Sequence, residues 1–112
     1  MNAIIQISES SLQLARKLAD MLPDSQVLSL KELDSGNFNQ FENIVFIGAM
    51  GICVRCIAPY IKDKYTDPAV VCLDSMGKYV IPVLSGHIGG ANELAREIAQ
   101  ASWWPMPPTS SG

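Results

Sequence analysis

The sequence predicts a single α/β domain in which helices cover both faces of a mostly parallel sheet. Three observations predict it. Short β-branched runs alternate along the chain with amphipathic helical stretches, the pattern typical of α/β architecture. One run, residues 44–47, is apolar at every position, as expected for a strand buried on both faces. The length of 112 residues favours one domain.

Composition excludes several classes of protein. The chain is 48% hydrophobic and 17% charged with a net charge of −3, which is typical of a globular domain. No basic patch with interleaved aromatics predicts nucleic-acid binding, and no run of about 18 apolar residues predicts a membrane span. The N-terminus lacks the basic region of a signal peptide. Because the three cysteines are an odd number without a secretory signal, we expect reduced thiols and a cytoplasmic protein.

The first predicted elements are a strand, a helix and a strand. Residues 3–7 are a β-branched run. Ser10 and Gln13 have the spacing of a capping box at the start of a helix. Pro23 ends that helix, and residues 26–30 are a second strand. One face of the helix is apolar and comprises Leu14, Ala15, Leu18, Ala19 and Leu22.

A strand, a glycine turn and a helix follow. Residues 31–42 are polar and predict a loop with one helical turn. After the strand at 44–47, residues 48–51 form a glycine turn and residues 52–57 a helix. Pro59 cannot lie inside a regular helix, so it kinks this one or starts a short helix over 59–64.

Residues 69–84 predict an antiparallel hairpin. Strands at 69–73 and 78–84 are separated by a short turn, with Gly77 suited to a left-handed conformation. Pro82 indicates that the second strand is an edge, carries a bulge or nearly ends there. The polar connection before the hairpin, which contains Lys62, Asp63, Lys64 and Asp67, is most simply solvated.

The last helix covers residues 93–100, with an i,i+3 pair between Glu93 and Arg96. Residues 101–112 contain Trp103 and Trp104, three prolines and a Ser/Gly end, and predict an irregular tail after a domain over 1–100. The apolar face of the helix comprises Ala91, Leu94, Ala95, Ile98 and Ala99. Together the elements predict a three-layer α/β/α fold with a flavodoxin- or Rossmann-like mixed sheet of about five strands.

The stretch 85–94 is the main candidate site. It links a strand to a helix and contains His87, the single histidine, with glycines that allow a ligand close to the backbone. Ligands of α/β sheets bind at the carboxyl ends of strands, so we expect this stretch and the turn at 48–51 to share one crevice. The candidate residues are Gly48, Gly51, Arg55, Ser85, Gly86, His87, Gly89, Gly90, Asn92 and Glu93.

Each candidate has a functional and a structural interpretation. His87 has a pKa near neutrality and suits general acid or base catalysis, or it merely closes a loop. The glycine turns and helix N-termini attract phosphate or carboxylate, but neither turn matches a nucleotide-binding motif. Asn92 caps the last helix or contributes to a site, and Glu93 favours the helix dipole or takes part in chemistry. Arg55 pairs with an acidic ligand or with Glu93, or is solvated.

The cysteines are best interpreted as core residues. Cys53 and Cys56 have C-x-x-C spacing, and a zinc site would need both Cys72 and His87 as further ligands. A redox motif would place the first cysteine at a helix start. Small buried apolar cysteines on a core helix remain the favoured interpretation, and no metal site is predicted.

Several segments closely resemble one family, the N-terminal domain of the cobalamin-biosynthesis protein CbiG, cobalt-precorrin-5A hydrolase. The resemblance covers roughly residues 1–100 and is densest over 44–99. The motifs that carry it are F-I-G-A-M-G-I-C-V-R at 46–55, T-D-P-A-V at 66–70 and S-G-H-I-G-G-A-N-E-L-A at 85–95.

The resemblance implies a role in the anaerobic route to the corrin ring. The family opens the ring-A δ-lactone of cobalt-precorrin-5A with water and releases acetaldehyde, giving cobalt-precorrin-5B. No cofactor is implied, since the cobalt belongs to the substrate. His87 is our hypothesis for the catalytic acid or base, glycine turns for oxyanion donors, and Arg55, Lys62 and Lys64 for the carboxylates of the corrinoid.

The chain departs from the family pattern in its last residues. The family continues into a linker and a C-terminal domain, and residues 101–112 do not resemble that continuation. We therefore expect a C-terminal domain as partner, and two further hypotheses stay open: a non-catalytic corrinoid- or anion-binding module, and a phosphate- or nucleotide-binding flavodoxin-like domain. Self-association into a homo-oligomer is also left open.

Overall fold

A five-stranded sheet forms the middle layer of the computed structural model, which describes residues 1–63, 65–85 and 90–105. The strand order is β2–β1–β3–β4–β5. The first four strands are parallel to one another, and β5 is antiparallel to β4. The strands are β1 (Asn2–Gln6), β2 (Ser25–Ser29), β3 (Asn43–Ile47), β4 (Ala69–Leu73) and β5 (Val80–Ser85). The predicted fold class and hairpin are confirmed.

Helices cover the sheet on both faces. They are α1 (Leu12–Met21), α2 (Met50–Ile57) and α3 (Gly90–Ala99). Alternate residues of the central strands point to opposite faces, so the core divides into two clusters. One lies under α1 and α3 and includes Leu18 and Ile98, and the other lies under α2 and includes Cys53 and Ile57.

The hairpin has the predicted details. Gly77 adopts a φ of 68°, the left-handed conformation that glycine accepts at no steric cost. The pairing of β4 with β5 shifts register between Val70 and Val71, a bulge that lies opposite the segment containing Pro82. Because β5 is an edge strand, the proline is tolerated there.

Two helix starts differ from the prediction. α2 begins at Met50, so Gly51 lies in its first turn and not in the preceding turn. α3 begins at Gly90, so Asn92 is its third residue and does not cap it. The apolar Ala99 at the end of α3 is exposed. Gly51 and Gly90 were both predicted to lie in turns before their helices, and both belong to the first turn of the helix.

The predicted capping box at the start of α1 was wrong. A 3-10 turn (Glu9–Ser11) precedes the helix, and the Ser10 hydroxyl bonds the Ser8 hydroxyl at 2.8 Å instead of an amide. The capping box of the chain lies at Ser29 and Glu32, where each side chain bonds the other's backbone N–H. Ser29 and Glu32 have the same sequence spacing as Ser10 and Gln13, but they cap the start of a 3-10 turn (Leu30–Glu32) after β2.

The polar connections between the strands and helices contain buried apolar side chains and short 3-10 turns that their composition did not predict. The loop between β2 and β3 contains two 3-10 turns, Leu30–Glu32 and Phe38–Gln40, and buries Phe38 completely in the α2-side core. After α2, Pro59 lies in a short 3-10 helix (Ala58–Tyr60), which ends well before residue 64. Phe38 and Tyr60 meet with ring centroids 5.6 Å apart.

Trp103 and Trp104 pack against the α1–α3 core. Both side chains are half-buried, and their rings form an edge-to-face pair with centroids 6.0 Å apart. The amide of Trp104 donates to the carbonyl of Ala101 at 3.0 Å, a turn that brings the rings back to the domain. Within the described part of the chain, no helix is long and apolar enough to cross a membrane.

Candidate functional site

Gly48 and the described residues on either side of the second glycine stretch, Ser85 and Gly90, lie at opposite edges of the sheet, which contradicts the predicted shared crevice. Gly48 follows β3 at the carboxyl-end edge, where its amide donates to the carbonyl of Leu73 at 2.8 Å. Ser85 ends β5 opposite Ala69, the first residue of β4, and therefore lies at the amino-end edge. The cause is the antiparallel direction of β5. Gly48 and Ser85 are therefore separated along the strand direction by the length of β4, about 13 Å at 3.3 Å per residue.

A cavity of about 360 Å³ opens at the amino-end edge, beside the start of α3. The cavity is formed where the strands β1 and β3 begin, where α1 ends and where α3 begins. Its polar floor is a partly buried pair in which the side-chain amide of Asn43 donates to the side-chain oxygen of Asn2 at 2.8 Å. The lining residues are Asn2, Leu22, Pro23, Glu42, Asn43, Gly90, Glu93, Leu94 and Glu97.

The Asn2 side chain fixes the shape of this cavity. It is 8% exposed and bonds in two directions, because its Nδ2 also donates to the carbonyl of Pro23 at 2.8 Å. It therefore ties β1 to β3 and to the segment after α1. Buried polar groups are tolerated where their hydrogen bonds are satisfied, and Asn2 meets that condition.

The cavity is acidic. Glu42, Glu93 and Glu97 contribute three carboxylates, and two of them have cationic neighbours. The terminal ammonium of Met1 lies 3.9 Å from Glu42, and the guanidinium of Arg96 lies 3.4 Å from Glu93. These cations compensate only part of the charge, so the cavity disfavours phosphate or carboxylate and suits a neutral or cationic group.

The candidates around α3 divide into described and undescribed residues. Gly90 lines the cavity, Asn92 is exposed, and Glu93 forms the predicted ion pair with Arg96. The pairing of Glu93 with Arg55, considered from sequence, does not form, because Arg55 belongs to the opposite helix layer. Gly86, His87 and Gly89 lie outside the described residues, as does Lys64.

Gly48 has a packing role at the carboxyl-end edge. A Cβ atom there would lie 2.7 Å from Cδ1 of Ile7 and 3.3 Å from Cε1 of Phe46. Gly51, by contrast, has open space around it. The neighbouring Gln6 side-chain oxygen is buried without a hydrogen-bond partner among the described residues. It is an acceptor available to a donor arriving at this edge.

Arg55 is exposed on α2, beside a smaller cavity of about 240 Å³ on that face of the domain. Apart from the arginine, the lining is mostly apolar and comprises Leu30, Leu33, Cys56, Pro59 and Tyr60. Arg55 lies one helical turn after Gly51 on α2 and in the opposite helix layer from Gly90 on α3.

The cysteines are core residues, as favoured from sequence. Cys53 and Cys72 are buried and Cys56 is half-buried, and all three are free thiols. A hydrogen bond with Cys72, and then burial, raise the pKa of the Cys53 thiol, and burial raises that of Cys56. A redox cysteine needs a lowered pKa, so the C-x-x-C pair of Cys53 and Cys56 does not suit redox chemistry. The same hydrogen bond lowers the pKa of the Cys72 thiol, which is buried in the core. Among residues 1–63, 65–85 and 90–105, no group of cysteines or acidic side chains is arranged to hold a metal.

Asp67 was misjudged as solvated and is a buried organiser of the loop before β4. It is 1% exposed, and its carboxylate accepts the amide of Lys62 at 3.0 Å and the side-chain amide of Asn39 at 3.1 Å. Two residues before a buried strand, a carboxylate that receives backbone N–H groups is a turn signal, and this signal was available in the sequence.

Comparison with known proteins agrees with the fold and the motifs. Residues 33–104 match the profile of the family described as cobalamin synthesis G N-terminal. Two curated relatives are cobalt-precorrin-5A hydrolases. The one from Priestia megaterium is 38% identical over 88% of this chain, and the one from Salmonella typhimurium is 40% identical over 87%. The chain spans about a third of their length, 32% in each case.

A solved structure has the same fold. It is described as a cobalamin biosynthesis protein G homolog from Sulfolobus solfataricus and superposes with a TM-score of 0.78 at 32% identity, covering 88% of this chain and 33% of the other. The profile match spans well over half of the described fold, from the loop before β3 to the tryptophan pair. The chain therefore belongs to the cobalamin synthesis G N-terminal family.

Proposed function

We propose that this chain acts as the N-terminal domain of a cobalt-precorrin-5A hydrolase in the cytoplasm. The reaction opens the ring-A δ-lactone of cobalt-precorrin-5A with water and releases acetaldehyde, giving cobalt-precorrin-5B. The observation that carries the proposal is the 38–40% identity to two such hydrolases over nearly nine tenths of the chain. Because the chain spans a third of those proteins, turnover requires the remaining part, supplied by a C-terminal domain.

The proposed reacting end of the substrate meets the amino-end edge. The connection that contains His87 starts at Ser85 and ends at Gly90, and both of these residues belong to that edge. A lactone is uncharged, so it suits the acidic cavity better than the carboxylates of the corrinoid do. We assign His87 the role of moving a proton during attack of water on the lactone carbonyl.

The carboxylates of the corrinoid require cations, and the candidate cations that the structure describes do not line the acidic cavity. Arg55 is exposed on α2, in the opposite helix layer from α3, and Lys62 is exposed in the loop before β4. Arg96, which lies beside the cavity, is paired with Glu93. This separation favours a substrate that is held at several places by the whole enzyme, with this domain supplying the neutral end of the site. No cofactor is needed for hydrolysis, since the cobalt is part of the substrate.

The binding-module hypothesis keeps one supporting observation, the short span of this chain relative to the hydrolases. On this hypothesis the domain holds the corrinoid and the remaining part of the enzyme supplies the chemistry. The phosphate- or nucleotide-binding hypothesis is less favoured, since three carboxylates line the cavity beside α3.

The test uses a full-length chimera, in which this chain replaces the matched segment of the Salmonella typhimurium hydrolase. With cobalt-precorrin-5A as substrate, we expect the chimera to release acetaldehyde and the isolated chain to release none. His87→Ala should lower the rate of release by about 10²- to 10⁴-fold, the usual contribution of a general acid or base.

A matched control is Arg16→Ala, on the exposed face of α1. It should leave the rate of acetaldehyde release unchanged. Retained corrinoid binding by the His87→Ala chimera, with release lost, supports the catalytic role. Undiminished release from that variant would overturn it and favour the binding module.

A further inference from the structure

The α2 side of the domain presents apolar side chains that no described element covers. We call this surface the α2-side strip; it consists of Val54 on α2 and Ile81, Val83 and Leu84 on β5. Cys56 lies on the flank of α2 that faces Leu30 and Leu33, so Val54 lies on the other flank, toward β5. Val54 and Ile81 are 46% and 44% exposed, and Val83 and Leu84 are half-buried. Ile81 pairs with Cys72, a member of the α2-side core, so it faces the same side of the sheet as α2.

The composition of α2 differs from that of the other two helices. The exposed faces of α1 and α3 carry charged residues, including Arg16, Asp20 and Glu97. The eight residues of α2 include one charged side chain, Arg55, and its exposed positions hold Ile52 and Val54. A helix that is apolar all round is typical of one covered on both sides.

The sheet shows the same asymmetry. Sheets of α/β proteins are covered on both faces, and α3 packs on β5 from the α1 side. On the α2 side, the described helices and turns lie over the other strands, and Ile81 stays 44% exposed. One layer of the three is thus incomplete at its β5 end within residues 1–63, 65–85 and 90–105.

The shape and charge of the surface narrow the choice of occupant. The cavity beside Arg55, about 240 Å³, is below the usual range of about 300–1,000 Å³ for small-molecule sites. A two-fold dimer centred on α2 would bring two Arg55 guanidinium groups together, which disfavours a second copy. Pro82 lacks an N–H, so β5 is a poor edge for adding a strand.

The length of the relatives indicates what covers the α2-side strip. Both curated hydrolases are about three times as long as the segment matched here. The described chain ends with tryptophans on the α1–α3 side, so a continuing segment must pass around the domain to reach α2. About thirteen extended residues span about 43 Å, which is roughly half the circumference of a body whose two shorter dimensions are 27 and 25 Å.

We propose that the α2-side strip is the docking surface for the remaining, C-terminal part of the hydrolase. The partner surface is apolar and presents a carboxylate to Arg55, which has no partner among the described residues. Binding hot spots in protein interfaces often consist of an arginine surrounded by apolar contacts from which water is excluded. The proposal rests on the proposed function only in requiring that this chain works with that C-terminal part.

The experiment uses the full-length chimera with a protease site introduced after residue 105. After cleavage, the two pieces should stay together on size exclusion, and their dissociation constant is measured by titration. Val54→Asp and Ile81→Asp should each raise that constant at least tenfold. Arg55→Glu should also raise it, because the guanidinium would be replaced by a carboxylate facing a carboxylate.

Val27→Asp is the matched control. Val27 is 38% exposed and pairs with Ile4 of the α1-side core, so it lies on the opposite face of the sheet. It should leave the dissociation constant unchanged. Circular dichroism of each isolated variant verifies that the domain is folded.

Three outcomes would overturn the proposal: pieces that separate after cleavage, a dissociation constant that Val54→Asp and Ile81→Asp leave unchanged, or self-association of the isolated chain that Val54→Asp abolishes. Acetaldehyde release from the uncleaved chimera is measured in parallel. Loss of docking with release intact contradicts the docking surface alone, and intact docking without release contradicts the proposed function alone.

Discussion

Gly48 shows how a residue chosen for ligand binding is explained by packing. From sequence, the glycine marked a place where a ligand meets the backbone. In the structure its missing side chain leaves room for Ile7 and Phe46. A ligand role at Gly48 stays a prediction, whereas the packing role follows from the two distances.

Gly48→Ala should lower the free energy of unfolding by about 1–2 kcal/mol, the lower part of the range for overpacking. The new Cβ would meet Cδ1 of Ile7 at 2.7 Å, and Ile7 is 42% exposed and free to move, but the Phe46 ring at 3.3 Å is fully buried. Urea denaturation measures the change.

The double variant Gly48→Ala/Ile7→Val should recover part of that loss, since valine lacks the clashing Cδ1. Gly51→Ala is the matched control. It lies in the first turn of α2 with open space around it, so it should stabilise by up to about 1 kcal/mol. Equal destabilisation by both alanines would contradict the packing role of Gly48.

Asp67→Ala should lower the free energy of unfolding by about 1–3 kcal/mol, the cost of leaving a buried donor unsatisfied. The amide of Lys62 and the side chain of Asn39 would both lose their acceptor. The measurement is again urea denaturation at neutral pH, and an unchanged midpoint would show that the loop does not depend on the carboxylate. Asp67→Asn, which keeps one acceptor oxygen, should cost less.

At the scale of elements, the carboxylates of two short polar turns, Asp63 and Glu32, make the free energy of unfolding depend on pH at acidic pH. The N–H groups of Tyr65 and Thr66 lower the pKa of Asp63 from 3.8, and hydrogen bonds from Ser29 lower that of Glu32 from 4.5. A carboxyl whose pKa is lower in the folded state stabilises the fold above its unfolded pKa. That contribution is lost as pH falls through the folded value.

The double variant Asp63→Asn/Glu32→Gln should therefore lose less stability than the parent between pH 6 and pH 3. Above about pH 6 the parent keeps the full contribution and should be the more stable protein. Thermal unfolding at a series of pH values measures both. Parallel curves for parent and variant would contradict the role of these two carboxylates.

The elements themselves were largely predictable. Their hydrophobic periodicity placed all five strands and three helices, because burial patterns at periods of 2 and 3.6 are local in sequence. The starts of α2 and α3 were not predicted correctly, since Gly51 and Gly90 lie in the first turn of each helix where a preceding turn was expected. The larger error concerned the direction of β5. The hairpin and the shared crevice were both predicted, but an antiparallel β5 ends at the amino-end edge, away from the turn after β3, so it excludes the shared crevice.

Residue roles that depend on distant partners were less predictable than elements. The turn signal in the sequence marks both Asp63 and Asp67 as acceptors of backbone N–H groups, but it does not say which of them is buried. Asp67 also accepts a hydrogen bond from Asn39, which lies 28 positions away in the chain. Likewise, the acidity of the amino-end cavity arises from Glu42 and Glu93, which tertiary folding brings together. The family motifs selected His87 and its glycine neighbours as candidates, and their roles stay predictions.

At the scale of the whole molecule, the C-terminal tryptophans belong to the folded domain. Trp103→Ala/Trp104→Ala should lower the free energy of unfolding by about 2–4 kcal/mol, since two half-buried indoles would no longer cover the α1–α3 core. Chemical denaturation followed by circular dichroism measures the loss.

Tyr79→Ala is the control for this prediction. Tyr79 is 65% exposed, so its replacement should change stability by less than about 0.5 kcal/mol. If the tryptophan variant were as stable as the parent, residues 101–105 would be an appendage, as the irregular composition suggested.

The reversed direction of β5 also determines where the two ends of the domain emerge. In an all-parallel sheet every helix would return to the amino-end edge, and the last helix would finish beside Met1. Here α3 starts at that edge and runs back along β5, so it finishes near the opposite rim. Gly48 lies at that rim, as does the Gln6 side-chain oxygen, which has no hydrogen-bond partner among the described residues. A polypeptide fused after Pro105 is thus delivered to the rim at which α/β sheets usually bind ligands, and a circular permutant would need a linker that crosses the full height of the sheet.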